Sequence, residues 1–100
     1  MHVIIWRYVV KPHHLQSFLA YYSTSGKWSD LFRKSKEYIA TDLLSMESNN
    51  LIYLTIDKWT SELAYTQFIQ ANKSAYAELD KITEEFTIEE ELVGTYLLLE

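Results

Sequence analysis

The sequence predicts an α+β fold in which two βαβ halves, mirrored about a tight turn, share one antiparallel sheet. Three observations carry this. Extended apolar runs alternate with stretches of helical period. The pair Asn49-Asn50, a plausible two-residue turn, divides the chain at its middle. The opening run His2–Val10 has no polar side to give to water, so it must be covered on both faces of its sheet. The chain holds enough helix for one face only. A second copy of the chain is the expected cover of the other, which makes a homodimer the expected assembly.

The first strand ends at Lys11-Pro12, where a proline without an N–H suits the first turn of a helix. Leu15, Phe18, Leu19 and Tyr22 then follow i, i+3, i+4, i+7, one apolar helical stripe, and Ser23 to Gly26 stops it. A short turn from Ser29 to Lys34 offers Trp28, Leu31 and Phe32 to the core. From Tyr38 to Met46 the chain is extended, with Ile39, Thr41 and Leu43 on one face and Tyr38, Ala40, Leu44 and Met46 on the other. The next strand, Leu51 to Trp59, sets Ile52, Leu54 and Ile56 against Tyr53, Thr55, Asp57 and Trp59. Thr60 or Ser61 caps the helix that follows, whose stripe of Tyr65, Phe68, Ile69, Asn72, Tyr76 and Leu79 bends near Asn72. Glu84 to Glu91 reads as a solvated connection, and Leu92 to Leu99 as the last strand, broken by Gly94. Together these give one ferredoxin-like βαββαβ domain over residues 1–100.

Composition narrows function mainly by exclusion. The chain has no cysteine, which removes disulfides, thiolate nucleophiles and cysteine-ligated metals. The net charge is −5, and residues 51–100 carry three Lys/Arg against ten Asp/Glu. Without a basic stripe there is little to bind phosphates, so no nucleic-acid partner is expected. No apolar run approaches the ~20 residues that span a bilayer, and Met1 leads straight into a strand, so neither a membrane span nor a secretory leader is expected. A cytoplasmic location follows as the default. His13 and His14 are neighbours and point about 100° apart on a helix, a poor two-point metal site, and no metal site is expected.

Aromatic residues make up 15% of the chain, enough for a pocket as well as a core. Trp28, Phe32, Tyr38, Tyr53 and Tyr76, with Phe68, are the candidate walls of a site for a flat organic ligand, although rings at these spacings also build ordinary cores. Arg7 sits mid-strand among apolar neighbours and needs an anion. Asp42, Asp57 or a ligand carboxylate can serve, and an ion pair between two copies is the favoured arrangement.

The first strand ending in Lys-Pro, the passage Tyr53-Leu54-Thr55-Ile56-Asp57-Lys58-Trp59-Thr60-Ser61 and the late run Glu90 to Tyr96 resemble the antibiotic biosynthesis monooxygenase-like family. That family belongs to the dimeric α/β-barrel superfamily, so the resemblance implies two sheets face to face and a pocket in each subunit between sheet and helices. It also implies a cofactor-free oxygenase acting on a phenol, hydroquinone or anthrone-like aromatic. The family's strand-end Trp and the Tyr six residues later correspond to Trp59 and Tyr65, while Thr55 stands where the family has Asn, and Leu79 lies close to where it has Arg. The resemblance thus implies Trp59, Tyr65 and Thr55 as catalytic residues, with Arg7 as a substitute positive charge in the substrate site. The family's haem-degrading members use Asn, Trp and His at positions that read Trp6 or Arg7, Phe68 and Glu78 here, which argues against haem. The other reading is a non-catalytic dimer that holds a small hydrophobic ligand in the same pocket.

Overall fold

The computed structural model describes residues 1–99. Its strands are β1 (His2–Val10), β2 (Tyr38–Met46), β3 (Asn49–Trp59) and β4 (Thr87–Leu97). Its helices are α1 (Leu15–Tyr22), α2 (Lys27–Phe32), α3 (Glu62–Ala71) and α4 (Lys73–Thr83), with single 3₁₀ turns at Pro12–His14 and Glu84–Phe86. The strands form one antiparallel sheet in the order β2-β3-β1-β4, so the two most apolar strands are central. This is the expected α+β, ferredoxin-like βαββαβ arrangement.

Sequence chemistry sets the boundaries of the helices. Ser61, not Thr60, caps α3: its Oγ accepts from the Ala64 N–H at 3.1 Å. The expected bend at Asn72 is a full break between α3 and α4, where the Asn72 amide donates to the Phe68 carbonyl at 2.9 Å. Gly26 is the entry to α2 because it is pressed on the end of α1; a Cβ there would lie 2.7 Å from the Tyr21 carbonyl oxygen.

Three expectations need correction. The β2–β3 reversal is at Glu47-Ser48 and not Asn49-Asn50, because the ladder extends to the pair Met46 and Asn49. No non-glycine residue among those described has positive φ, so the reversal does not use the conformation that favours Asn. A register shift between Tyr38 and Ala40 turns Tyr38 onto the face of Thr41 and Leu43, and leaves Ile39 exposed. The acidic run belongs largely to β4, which starts at Thr87. An edge strand has one side open to water, where Glu89 and Glu91 are solvated.

The core lies between the sheet and the helices. Val10, Phe18 and Trp59 are wholly buried there, with Tyr8, Tyr22, Phe32, Tyr53 and Phe68 around them. Trp59 meets Phe32, Tyr38, Tyr65 and Phe68 at ring-centroid distances of 5.3 to 5.5 Å. The opposite face of the sheet, built on Ile5, Val9, Ile52, Leu54 and Ile56, carries no helix. No helix of the described residues is long and apolar enough to cross a membrane.

Trp59→Ala is expected to cost about 3–5 kcal/mol of stability, the range for emptying an aromatic site in a packed core. Urea unfolding of the variant beside the parent chain measures it; a loss under about 1 kcal/mol would mean the site collapses without consequence.

Candidate active site

The site is assembled by rows of residues that face each other across the sheet. On β3, period two puts Thr55, Asp57 and Trp59 on the helix side. Register places Thr55 between Leu43 of β2 and Trp6 of β1, and Asp57 between Thr41 and Ile4. Farther along β1, Tyr8 stands opposite Glu90 of β4. Over these rows the helices hang aromatic side chains: Tyr22 from α1, Trp28 and Phe32 from α2, Tyr65 from α3 and Tyr76 from α4. The result is a cavity of about 30 Å³ between sheet and helices, with Asp80 also on its wall. That is room for about two waters.

Of the residues singled out in the sequence, Thr55, Tyr65, Trp28, Phe32 and Tyr76 line this cavity together. Trp59 does not: it is buried behind the wall and supports Tyr65 edge-on at 5.4 Å, with its indole N–H unpaired. Tyr53 and Phe68 are core residues packed on Phe18 and Trp59 respectively. Arg7 is on the other face of the sheet, since it alternates with Trp6 and Tyr8. Its guanidinium approaches Glu89 of β4 at 3.8 Å, not Asp42 or Asp57. Asp42 pairs instead with Lys58 at 2.8 Å. Arg7 is therefore placed where it cannot reach a ligand in the cavity.

The residue that sequence reasoning passed over is Asp57. The signal was present, because an aspartate on the apolar face of a central strand breaks the pattern of its neighbours Tyr53 and Trp59. Its Oδ1 accepts a 2.6 Å hydrogen bond from Thr41 Oγ1, which contacts the Tyr38 hydroxyl at 2.6 Å. Burial raises its pKa to about 6; the Thr41 hydrogen bond acts in the opposite direction and loses. Burial also raises Glu90, with Asp80 and Glu84 adding to it. The cavity tyrosines are harder to ionise than usual. Burial lifts Tyr22 to about 12, Tyr65 is raised by burial and by Asp57, and Tyr8 and Tyr76 are raised mainly by burial. No Lys, Arg or His lines the cavity. Among the described residues, no group of three or more His, Asp or Glu is placed to hold a metal ion.

The cavity thus joins an aromatic wall, neutral hydroxyl groups and one carboxylate whose proton affinity burial raises. Comparison with known proteins agrees with the architecture. No protein-family profile matches the sequence. No curated protein matches it either. Solved structures do. SnoaB, a cofactor-independent oxygenase from Streptomyces nogalater, superposes with a TM-score of 0.73 at 15% identity, covering 99% of this chain and 93% of its own. An antibiotic biosynthesis monooxygenase superposes at 0.71 and 14% identity over the whole of both chains. A conserved protein from Methanosarcina mazei Go1 gives 0.72 at 18% identity, over 95% of this chain and 89% of its own. The chain therefore has the fold of the antibiotic biosynthesis monooxygenase structures.

The raised Asp57 sets a pH dependence of stability. Its folded pKa of about 6 exceeds its ordinary value of 3.8, so the native state holds the proton more tightly, and stability falls as pH rises through that window. Relative to Asp57→Asn, the parent chain is expected to lose about 3 kcal/mol between pH below 4 and pH above 6. Urea midpoints of both proteins across this range check it, and parallel curves would mean the carboxylate is solvated.

Proposed function

We propose that this chain is a cofactor-independent monooxygenase acting on a small phenol or hydroquinone. The observation that carries the reading is the aromatic cavity itself, with the hydroxyls of Thr55 and Tyr65 on its wall. Its support from outside the chain is a shared fold with an oxygenase that needs no cofactor. The present volume holds less than one aromatic ring, so a ligand enters by displacing water and by rotation of the half-buried Tyr65 and Tyr76. This favours a single ring over a three-ring anthrone.

In the reaction, the substrate hydroxyl loses its proton and the phenolate passes an electron to O₂. Recombination forms the new carbon–oxygen bond. Cleavage of the O–O bond leaves one oxygen atom on the ring as a quinone carbonyl and releases the other as water, with every electron supplied by the substrate. Tyr65 and Thr55 donate hydrogen bonds to the developing oxyanion, and the closed aromatic wall keeps water from it. Trp59 contributes by holding the Tyr65 ring in place.

One observation favours a second reading. The cavity has three carboxylate residues and no basic side chain to hold an anion, as suits a pocket that binds a neutral ligand without changing it. Oxygen uptake by metal- and flavin-free protein, measured with a panel of phenols and hydroquinones, separates the two. Protein-dependent uptake is expected, reduced at least about tenfold in Tyr65→Phe, as fits a lost donor to the oxyanion. Saturable binding with the ligand recovered unaltered would establish the second reading.

The helix-free sheet face belongs to the same proposal, with a second copy of the chain as its cover. Leu44 and Tyr96 on that face are 43% and 50% exposed, and Ile5, Val9, Ile52, Leu54 and Ile56 continue the apolar surface between them. A surface of this composition on two central strands is larger than a solitary soluble domain ordinarily leaves open. Light scattering at micromolar concentration is expected to give the mass of two chains, and Leu54→Arg the mass of one. A folded monomer of the parent chain would defeat this assembly.

A further inference from the structure

We propose that Asp57 is the proton acceptor of this cavity, taking the hydroxyl proton of a phenolic substrate on its Oδ2, and that Thr41, Tyr38 and Ser29 are its positioning residues. The inference rests on the reading that the cavity binds a phenol. Thr41 Oγ1 donates to Oδ1 at 2.6 Å and fixes the carboxylate plane. Among the described residues nothing donates to Oδ2, and Asp57 is on the cavity wall, so the lone pairs of that oxygen are left for a ligand. The step balances within the site: the substrate O–H bond breaks, an O–H bond forms on Asp57, and the negative charge moves from carboxylate to phenolate. The total charge of the cavity and its ligand is unchanged, which answers the absence of a basic side chain.

The hydroxyl chain behind Asp57 supports the assignment by a count of protons. Four contacts run in series: Asp57 to Thr41 (2.6 Å), Thr41 to Tyr38 (2.6 Å), Tyr38 to Ser29 (3.2 Å), and Ser29 to the Ser23 carbonyl (3.4 Å). With Asp57 ionised, three hydroxyl protons must serve four contacts. Thr41 donates to Asp57 and Tyr38 to Thr41, so one of the two contacts made by Ser29 lacks a proton. Those two are the long ones, beyond the usual range for O–H···O bonds. The network therefore points its protons toward Oδ1 and favours the carboxylate; burial opposes it and prevails, and the balance holds the proton affinity of Asp57 close to neutrality, where a base works best. The titratable groups that share the cavity are Tyr8, Tyr22, Tyr65, Tyr76, Asp80 and Glu90; His2 packs on Tyr65 and is not on the wall. The tyrosines stay neutral through this range, and Asp80 and Glu90 add only like charge.

The positioning residues act in one sense. Thr41→Val removes the donor to the carboxylate and is expected to raise the midpoint of Asp57; Tyr38→Phe removes the donor behind Thr41 and is expected to raise it less. The test is anaerobic, which keeps it separate from oxygen chemistry. The protein is titrated with 4-nitrophenol, binding is measured by equilibrium dialysis, and ionisation of the bound phenol is followed by its phenolate absorbance against pH. Expected are bound phenolate appearing in the parent chain with a midpoint near 6, below that of the free phenol, loss of that early ionisation in Asp57→Asn with 4-nitrophenol still bound, and midpoints moving up in Thr41→Val and, by less, in Tyr38→Phe. A bound phenol that ionises no earlier than the free one in the parent chain, or early ionisation that survives Asp57→Asn, would overturn the assignment whatever the oxygen assay shows. Failure of the parent chain to bind 4-nitrophenol would overturn the cavity reading first, and this inference with it.

Discussion

The structure depends on how Trp59 is held. It ends β3, is wholly buried, and meets one ring each from α2, β2 and two from α3. A chain of this length has little core to spare, since it buries only roughly 60–70% of its unfolded surface. Concentrating the contact in aromatic rings gives each residue a large buried area with few rotamers to freeze. Once Trp59 is wedged there, the start of α3 is tied to the end of a central strand, and Tyr65 is set beside the strands. The unpaired indole N–H is the cost of placing the largest side chain where no acceptor reaches.

Asp57 is the counterweight. Two residues before Trp59, on the same face, it puts a carboxylate into the space between sheet and helices that would otherwise close on apolar groups. Its raised proton affinity is a stability loss at neutral pH, of the sort that functional sites carry and cores do not. The hydroxyls of Thr41, Tyr38 and Ser29 limit that loss without neutralising the charge. A basic partner would have lowered that proton affinity more fully.

The two faces of the sheet divide the work. Toward the helices lie Thr55, Asp57, Trp6 and Tyr8, and the cavity is made there. Away from them lie the branched aliphatics of β1 and β3, with Arg7 held by Glu89 at 3.8 Å near the β4 edge. Tyr96 lies across Gly94 on this second face, its ring 3.1 Å from where a Cβ would stand, which extends a flat aromatic surface there. An assembly through that face would leave the cavity free to each subunit.

Element types, their order and the shared strand face of Thr55, Asp57 and Trp59 were legible in the sequence, because alternation and helical period report how each residue meets its own surroundings. Trp28, Phe32 and Tyr76 were legible as candidate walls, since aromatic residues on core-facing stripes of neighbouring helices converge over one sheet face, whereas Tyr53 and Phe68, offered with them, pack in the core. The face that receives Tyr38 depended on one extra residue in β2, which no periodicity announces. That the glutamates belong to β4 depended on pairing with β1, because an edge strand needs no apolar alternation on its open side. Arg7 could be sorted from the cavity only when β1 had an assigned inner face. The hydrogen-bonded chain from Asp57 to Ser29 joins residues sixteen, three and nine positions apart along the sequence, the longest link through register across β2 and β3. Local sequence fixes a side chain's periodicity, but polar convergence is set by strand register, and register is a property of the packed sheet.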